Sequence, residues 1–232
     1  MKTIGMLGGM SWESTVPYYQ IINRYIQQQL GGLHSARIVL HSVNFAEVEQ
    51  LQHTGQWDKA GDLLAEAAVG LEHAGADFLI ICTNTMHKVA HQIQERLTIP
   101  LLHIADPTAQ ALVEAGFKRV ALLGTAFTME QNFYKQRLVE QYGLEVMIPD
   151  ERQRKQVHQI IYDELCQGKI NEDSRRTYVQ IAESLAEQGA EAIILGCTEI
   201  SLLLTPEYTS IPLFDTTRLH AEAAAVNALQ DK

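Results

Sequence analysis

The chain has 232 residues, 46% of them hydrophobic and 20% charged, an ordinary globular composition with room for one large domain or two of about 100 residues. Its formal charge of −10 leaves no basic stripe to meet phosphates, which argues against nucleic acid as a partner. No apolar run approaches the ~20 residues that a membrane span needs. The opening "MKTIGMLGGMSWEST" enters a short strand and a glycine turn without the longer apolar stretch of a signal peptide. Three cysteines, Cys82, Cys166 and Cys197, lack zinc-type spacing and read as free thiols of a cytoplasmic protein.

In chain order, strands are predicted at Thr3–Leu7, Ile38–Ser42, Phe78–Cys82, Leu101–Ile104, Val120–Leu123, Leu144–Met147, Ala192–Leu195 and Pro212–Phe214. Amphipathic stretches such as Trp57–His73 and Thr177–Glu187 lie between them. This alternation predicts an α/β protein with mostly parallel sheets flanked by helices. The pattern also repeats. "KRVALLGTAFTMEQ" follows "MKTIGMLGGMSWES", "GAEAIILGCTEIS" overlays "GADFLIICTNTMH" at an offset of 114, and "SIPLFDTT" overlays "TIPLLHIA" at 112. Three ordered pairs predict two similar domains, 1–116 and 117–216, with the seam near Ala115–Lys118. A last helix, 217–229, is free to pack back on the first domain. In this overlay Thr83 matches Cys197 and Cys82 matches Gly196, so Cys82 is expected to point away from the side that Thr83 faces.

Ligands of parallel α/β sheets bind beyond the carboxyl ends of strands. Four such ends carry small polar residues: "GGMS" at 8–11, "TNT" at 83–85, "GTAFT" at 124–128 and "GCTE" at 196–199. Helices starting at such turns offer free N–H groups to a carboxylate. Neither GxGxxG nor a Walker lysine is present, so nucleotides have little support, and no His/Glu pair recurs at metal spacing. Each candidate has a plainer reading. Cys197 can be one more small buried residue at a strand end, and Glu199 an ordinary acid at a helix start. His87 can be a satisfied core histidine, Met10 packing, Gln52 a solvated helix residue, and Cys166 core filling.

Together "GMLGGMSWEST", "CTNTMHK", "LLGTAFTM" and "GCTEI" resemble the landmarks of the aspartate/glutamate racemase family, in order and over the whole chain. The resemblance implies two α/β domains with the active site in the cleft between them, no pyridoxal phosphate or other cofactor, no metal, and often a homodimer. It implies amino-acid racemisation by two acid/base groups on opposite faces of the α-carbon. It assigns Cys197 to the L-enantiomer. The cysteine that the family places directly before Asn-Thr is replaced here by Thr83. Substrate-binding roles fall to Met10, Gln52, Asn84, Thr85, Thr125 and Thr198, with Ser11, His87 and Glu199 in support. Aspartate or glutamate is the first substrate expectation and a broader amino-acid range the second. A single-cysteine decarboxylase or isomerase of dicarboxylates, and a non-catalytic amino-acid binder, remain alternatives.

Overall fold

The computed structural model describes residues 1–230. The chain divides into two compact units, Met1–Ile104 together with the residues from His220 onward, and Ala105–Leu219.

In the first unit, strands β1 (Thr3–Gly8), β2 (Arg37–Ser42), β3 (Phe78–Ile81) and β4 (Leu101–Leu102) form a parallel sheet in the order β2-β1-β3-β4. β3 is a fully buried Phe-Leu-Ile-Ile run, as expected of a central parallel strand covered on both faces. Two cores lie on the two sides of the sheet. One joins Leu7, Leu79 and Ile81 to the buried stripe Ala60, Leu64, Ala68 and Leu71 of α3 (Trp57–His73). The other joins Ile4, Met6, Phe78, Ile80 and Cys82 to Tyr18, Ile22 and Ile26 of α1 (Trp12–Leu30). Both helices bury residues at helical spacing. Helix α2 (Phe45–His53) starts on an Asn44 side-chain cap, and α4 (Ala90–Gln94) completes the turn after β3.

The second unit repeats the plan. Helix α5 (Ala105–Glu114) opens it, and β5 (Arg119–Gly124), β6 (Glu145–Met147), β7 (Ala192–Gly196) and β8 (Leu213–Asp215) pair in parallel in the order β6-β5-β7-β8. Helices α6 (Ala126–Glu130), α7 (Asn132–Tyr142), α8 (Glu151–Asp163) and α9 (Glu172–Glu187) connect the strands. Identical strand order in both units agrees with the internal repeat.

The repeat in sequence and the compact units are nevertheless different divisions. Helix α5 follows β4 in the chain but packs with the second unit, where Asp106 takes a two-pronged ion pair from Arg137 of α7 at 2.6 and 2.7 Å. Helix α10 (Thr216–Leu229) follows β8 but returns Ala221, Ala224, Ala225 and Ala228 to the core around Ile4 and Ile22. Alanines at helical spacing allow that close approach. The structural seam therefore falls between Ile104 and Ala105, ahead of the Ala115–Lys118 region that the repeat marks.

Two strands also end earlier than expected. β3 stops at Ile81 because the Thr83 N–H turns back to the Ile81 carbonyl at 2.9 Å. β4 stops at Leu102 rather than Ile104, whose N–H goes to a histidine ring at 3.2 Å. Among the described residues, no helix is long and apolar enough to cross a membrane.

Candidate active site

In each sheet the chain starts on a central strand, adds a neighbour on one side and then crosses to the other. The topological switch point therefore lies between β1 and β3 in the first unit and between β5 and β7 in the second, and crevices open at the carboxyl ends of such pairs. The register Leu7↔Ile81 sets the Gly8–Ser11 turn beside the Thr83–Thr85 turn. The register Gly124↔Gly196 does the same for Thr125 and Cys197. Each unit thus carries one half-site built from two adjacent turns.

In the first half-site, Gly9 takes φ +89°, and a Cβ there would meet the Val43 carbonyl at 2.4 Å, so only glycine fits. The Gly9 N–H donates to Thr15 Oγ1 at 2.8 Å, and the Thr15 and Ser14 hydroxyls both donate to the Ser11 carbonyl. These bonds fasten the start of α1, whose dipole end faces the turn. Met10 and Ser11 are buried there, with Met10 joined to the α3-side core. Cys82 is fully buried on the opposite side, among Ile4, Met6 and Tyr18. Burial alone pushes its thiol far above the ordinary range, which makes it inert. Thr83, the next residue, is half-buried between buried neighbours. Asn84, Thr85 and His87 follow, all buried. Gln52 is not a solvated helix residue: it is buried and its Nε2 donates to Met86 Sδ at 2.8 Å.

The second half-site is tighter. A Cβ on Gly124 would stand 2.9 Å from the Gly196 carbonyl, and one on Gly196 would stand 2.9 Å from the Leu123 carbonyl and 2.8 Å from Leu122 Cδ1. Thr125 caps α6 by accepting the Thr128 N–H, and the Ala126 N–H donates to His158 Nδ1 at 3.2 Å. Cys197 is buried, and its Sγ–H donates to Glu199 Oε2 at 3.0 Å. The Thr198 hydroxyl donates to the same oxygen, and Cys166 Sγ reaches Oε1 at 3.8 Å. Burial raises the Cys197 thiol well above its ordinary range, and the Glu199 charge and the neighbouring Cys166 raise it further. At neutral pH the thiol keeps its proton and points it at a carboxylate, so a transfer partner is in place.

Met10, Ser11, Gln52, Thr83, Asn84, Thr85 and His87 thus gather in the first unit, and Thr125, Cys197, Thr198 and Glu199 in the second. Sequence reasoning missed Cys166, which touches the Glu199 carboxylate instead of filling a core, and His158, which holds the Thr125–Ala126 turn. His158 and Cys166 lie eight residues apart in sequence and more than thirty residues from what they touch, so neither carries a local signal. Among the described residues, no group of three or more His, Cys, Asp or Glu side chains is placed to hold a metal ion.

This architecture defines a two-unit α/β enzyme with a thiol–carboxylate pair at one strand end and a threonine at the equivalent end of the repeat. Residues 7–224 match the Asp/Glu/Hydantoin racemase family. The broad specificity amino-acid racemase RacX of Bacillus subtilis is 27% identical over 225 residues, 95% of each chain. A solved Yersinia pestis protein assigned to the Asp/Glu racemases is 54% identical, with a TM-score of 0.93 over 99% of this chain and 100% of its own. An aspartate racemase homologue from Pyrococcus horikoshii is 31% identical, with a TM-score of 0.85 over 99% of this chain and 100% of its own. The chain belongs to the Asp/Glu/hydantoin racemase family and is an isomerase of the racemase type.

Proposed function

We propose that the enzyme racemises a free amino acid by exchanging its α-proton between Cys197 on one face and Thr83 on the other, without a cofactor. The observation that carries this reading is the Cys197 Sγ–H directed at Glu199 Oε2 at 3.0 Å. From the L side, the thiol hands its proton to Glu199 as its sulfur takes the α-proton. The Thr83 hydroxyl delivers a proton to the opposite face and is refilled from water. From the D side the steps reverse, and Thr83, with no carboxylate assigned to it, has the harder task. The negative charge spreading onto the substrate carboxylate is met by the N–H groups of Asn84, Thr85 and Thr198, with Thr125, Met10 and Gln52 bounding the substrate and Ser11 holding the start of α1.

Aspartate and glutamate are the first substrates to test. A broader range has its own support: none of the four turns carries Lys or Arg, and the adjacent Lys88 lies over the Trp57 ring at 3.8 Å. Similarity to RacX points the same way. A cytoplasmic location belongs to this reading, supported by three free thiols, and so does the homodimer that the family resemblance implies. The deciding experiment screens L-amino acids in heavy water for α-deuterium uptake and formation of the D-enantiomer. Uptake lost in Cys197→Ser supports the assignment. Carbon dioxide release from a substituted malonate, with no exchange into any amino acid, would replace it with decarboxylation.

A further inference from the structure

The first half-site holds a histidine whose protonation pattern is fixed by the main chain around it. His87 is 3% exposed and lies one turn beyond Thr83. Its Nε2 stands 3.2 Å from the backbone nitrogen of Ile104. A main-chain N–H only donates, so Nε2 is the bare nitrogen. Its Nδ1 stands 2.8 Å from the carbonyl oxygen of Thr83. A carbonyl only accepts, so Nδ1 carries the hydrogen. One neutral tautomer satisfies both bonds, and in it both nitrogens are committed to the backbone.

The surroundings hold the ring in that pose. His103 meets it edge-on at 4.5 Å between ring centroids, and His220 at 5.9 Å. His220 is anchored beside it: its Nε2–H donates to the Leu102 carbonyl at 2.9 Å, and its Nδ1 stands 2.9 Å from the Tyr18 hydroxyl. Thr83 in turn is held on both sides, its N–H by the Ile81 carbonyl and its carbonyl by His87. The second unit has no counterpart of this bond at the matching carbonyl: Ser201, at the repeat offset of 114 from His87, donates its hydroxyl to the Thr198 carbonyl at 3.2 Å, and the Cys197 carbonyl takes the Ile200 N–H at 3.1 Å.

We propose that His87 is a positioning residue of the racemisation, its Nδ1–H fixing the Thr83 carbonyl and with it the reach of the Thr83 hydroxyl, and that it carries no proton to that hydroxyl. The inference rests on the reading of Thr83 as the second acid/base group.

Two near-isosteric substitutions separate its two bonds. In His87→Asn the side-chain amide nitrogen stands where Nδ1 does, which keeps the bond to Thr83 and gives up Ile104. In His87→Gln the amide oxygen stands where Nε2 does, which keeps Ile104 and gives up Thr83. The expected result is a kcat from the D-enantiomer about tenfold or more lower in His87→Gln than in His87→Asn, with KM nearly equal, as misplacement of a reacting group predicts. Equal kcat values, or the reverse order, would show that His87 only ties down the end of β4, and would overturn the inference while leaving Thr83 in place. Thr83→Ala is measured alongside; wild-type racemisation by that variant would refute the reading of Thr83 itself and the inference with it. Should either His87 variant fail to fold, the ¹⁵N shifts of His87 in the wild-type protein still decide. A protonated Nδ1 and a bare Nε2 are expected, and a protonated Nε2 would overturn the proposal.

Discussion

Replacing Gly196 by alanine drives one methyl group of β7 against the neighbouring strand β5. The new Cβ would stand 2.9 Å from the Leu123 carbonyl and 2.8 Å from Leu122 Cδ1, where ordinary contact begins at 3.4 Å. The leucine methyl can swing aside; the carbonyl belongs to a strand hydrogen-bonded along its length and has to be pushed back by roughly half an ångström. Overpacking of this kind costs about 1–3 kcal/mol. For a protein of this size that lowers Tm by roughly 2–4 °C per kcal/mol, so by about 2–12 °C. The substituted residue is the one before Cys197, so the strain is shared with the thiol's own backbone, and an acid/base group moved by a fraction of an ångström loses on the order of tenfold in turnover. Calorimetry and α-deuterium exchange on the same preparation test both parts. Gly196→Ala with unchanged Tm and unchanged exchange would show that the strand contact does not set the position of the thiol.

Glu199→Gln removes the proton acceptor of Cys197 and should lower kcat by ~10²-fold. The same change removes one cause of the raised thiol, so alkylation of Cys197 by iodoacetamide should move to lower pH; an unmoved profile would refute the thiol–carboxylate coupling. Cys82→Ala should leave turnover within a few-fold while costing ~1 kcal/mol as a small core truncation, and an inactive but well-folded variant would overturn the orientation of Thr83. Cys82 and Cys197 both have thiols raised in the folded state. The stability they contribute is fully present below the ordinary thiol value and is lost as pH climbs from there toward the folded values. Each thiol should steepen the loss by about 1.4 kcal/mol per pH unit, and denaturant titrations between about pH 9 and 10 should show a shallower slope in Cys82→Ala. Enantiomers are equally stable in water, so kcat/KM must match for the two directions while kcat need not. Thr83→Cys should raise the D-side kcat by giving that face a tunable thiol, and an unchanged value would mean that another group serves it.

All eight strands were legible because buried parallel strands read as continuous apolar runs between turns, and the duplication was legible because its landmarks recur in order. Strand alternation set Cys82 apart from Thr83, and Cys82 is buried in the α1-side core while Thr83 is half-buried. What the sequence did not show depends on partners distant in the chain. β4 was read two residues too long because its end is set by His87, 17 residues earlier. The seam was displaced because α5 answers to Arg137 of α7 rather than to the strand before it. Gln52 read as solvated because nothing local reveals that Met86 covers it. Cys166 read as packing because its partner Glu199 lies 33 residues on. Local periodicity predicts elements well; which polar side chains meet is decided by tertiary neighbours that periodicity does not encode.

The central claim is that Cys197 and Thr83 serve opposite faces of one α-carbon, and it is tested most directly by separating proton exchange from inversion. Thr83→Ala is incubated with the L-amino acid in heavy water, and deuterium at the α-position and the enantiomeric composition are followed together by NMR and chiral chromatography. Cys197 and Glu199 remain intact, so the account predicts deuterium entering the L-amino acid with retention and little or no D-enantiomer forming. Deuterium uptake and D-enantiomer appearing together at wild-type rates, or no uptake at all in the folded variant, would contradict it.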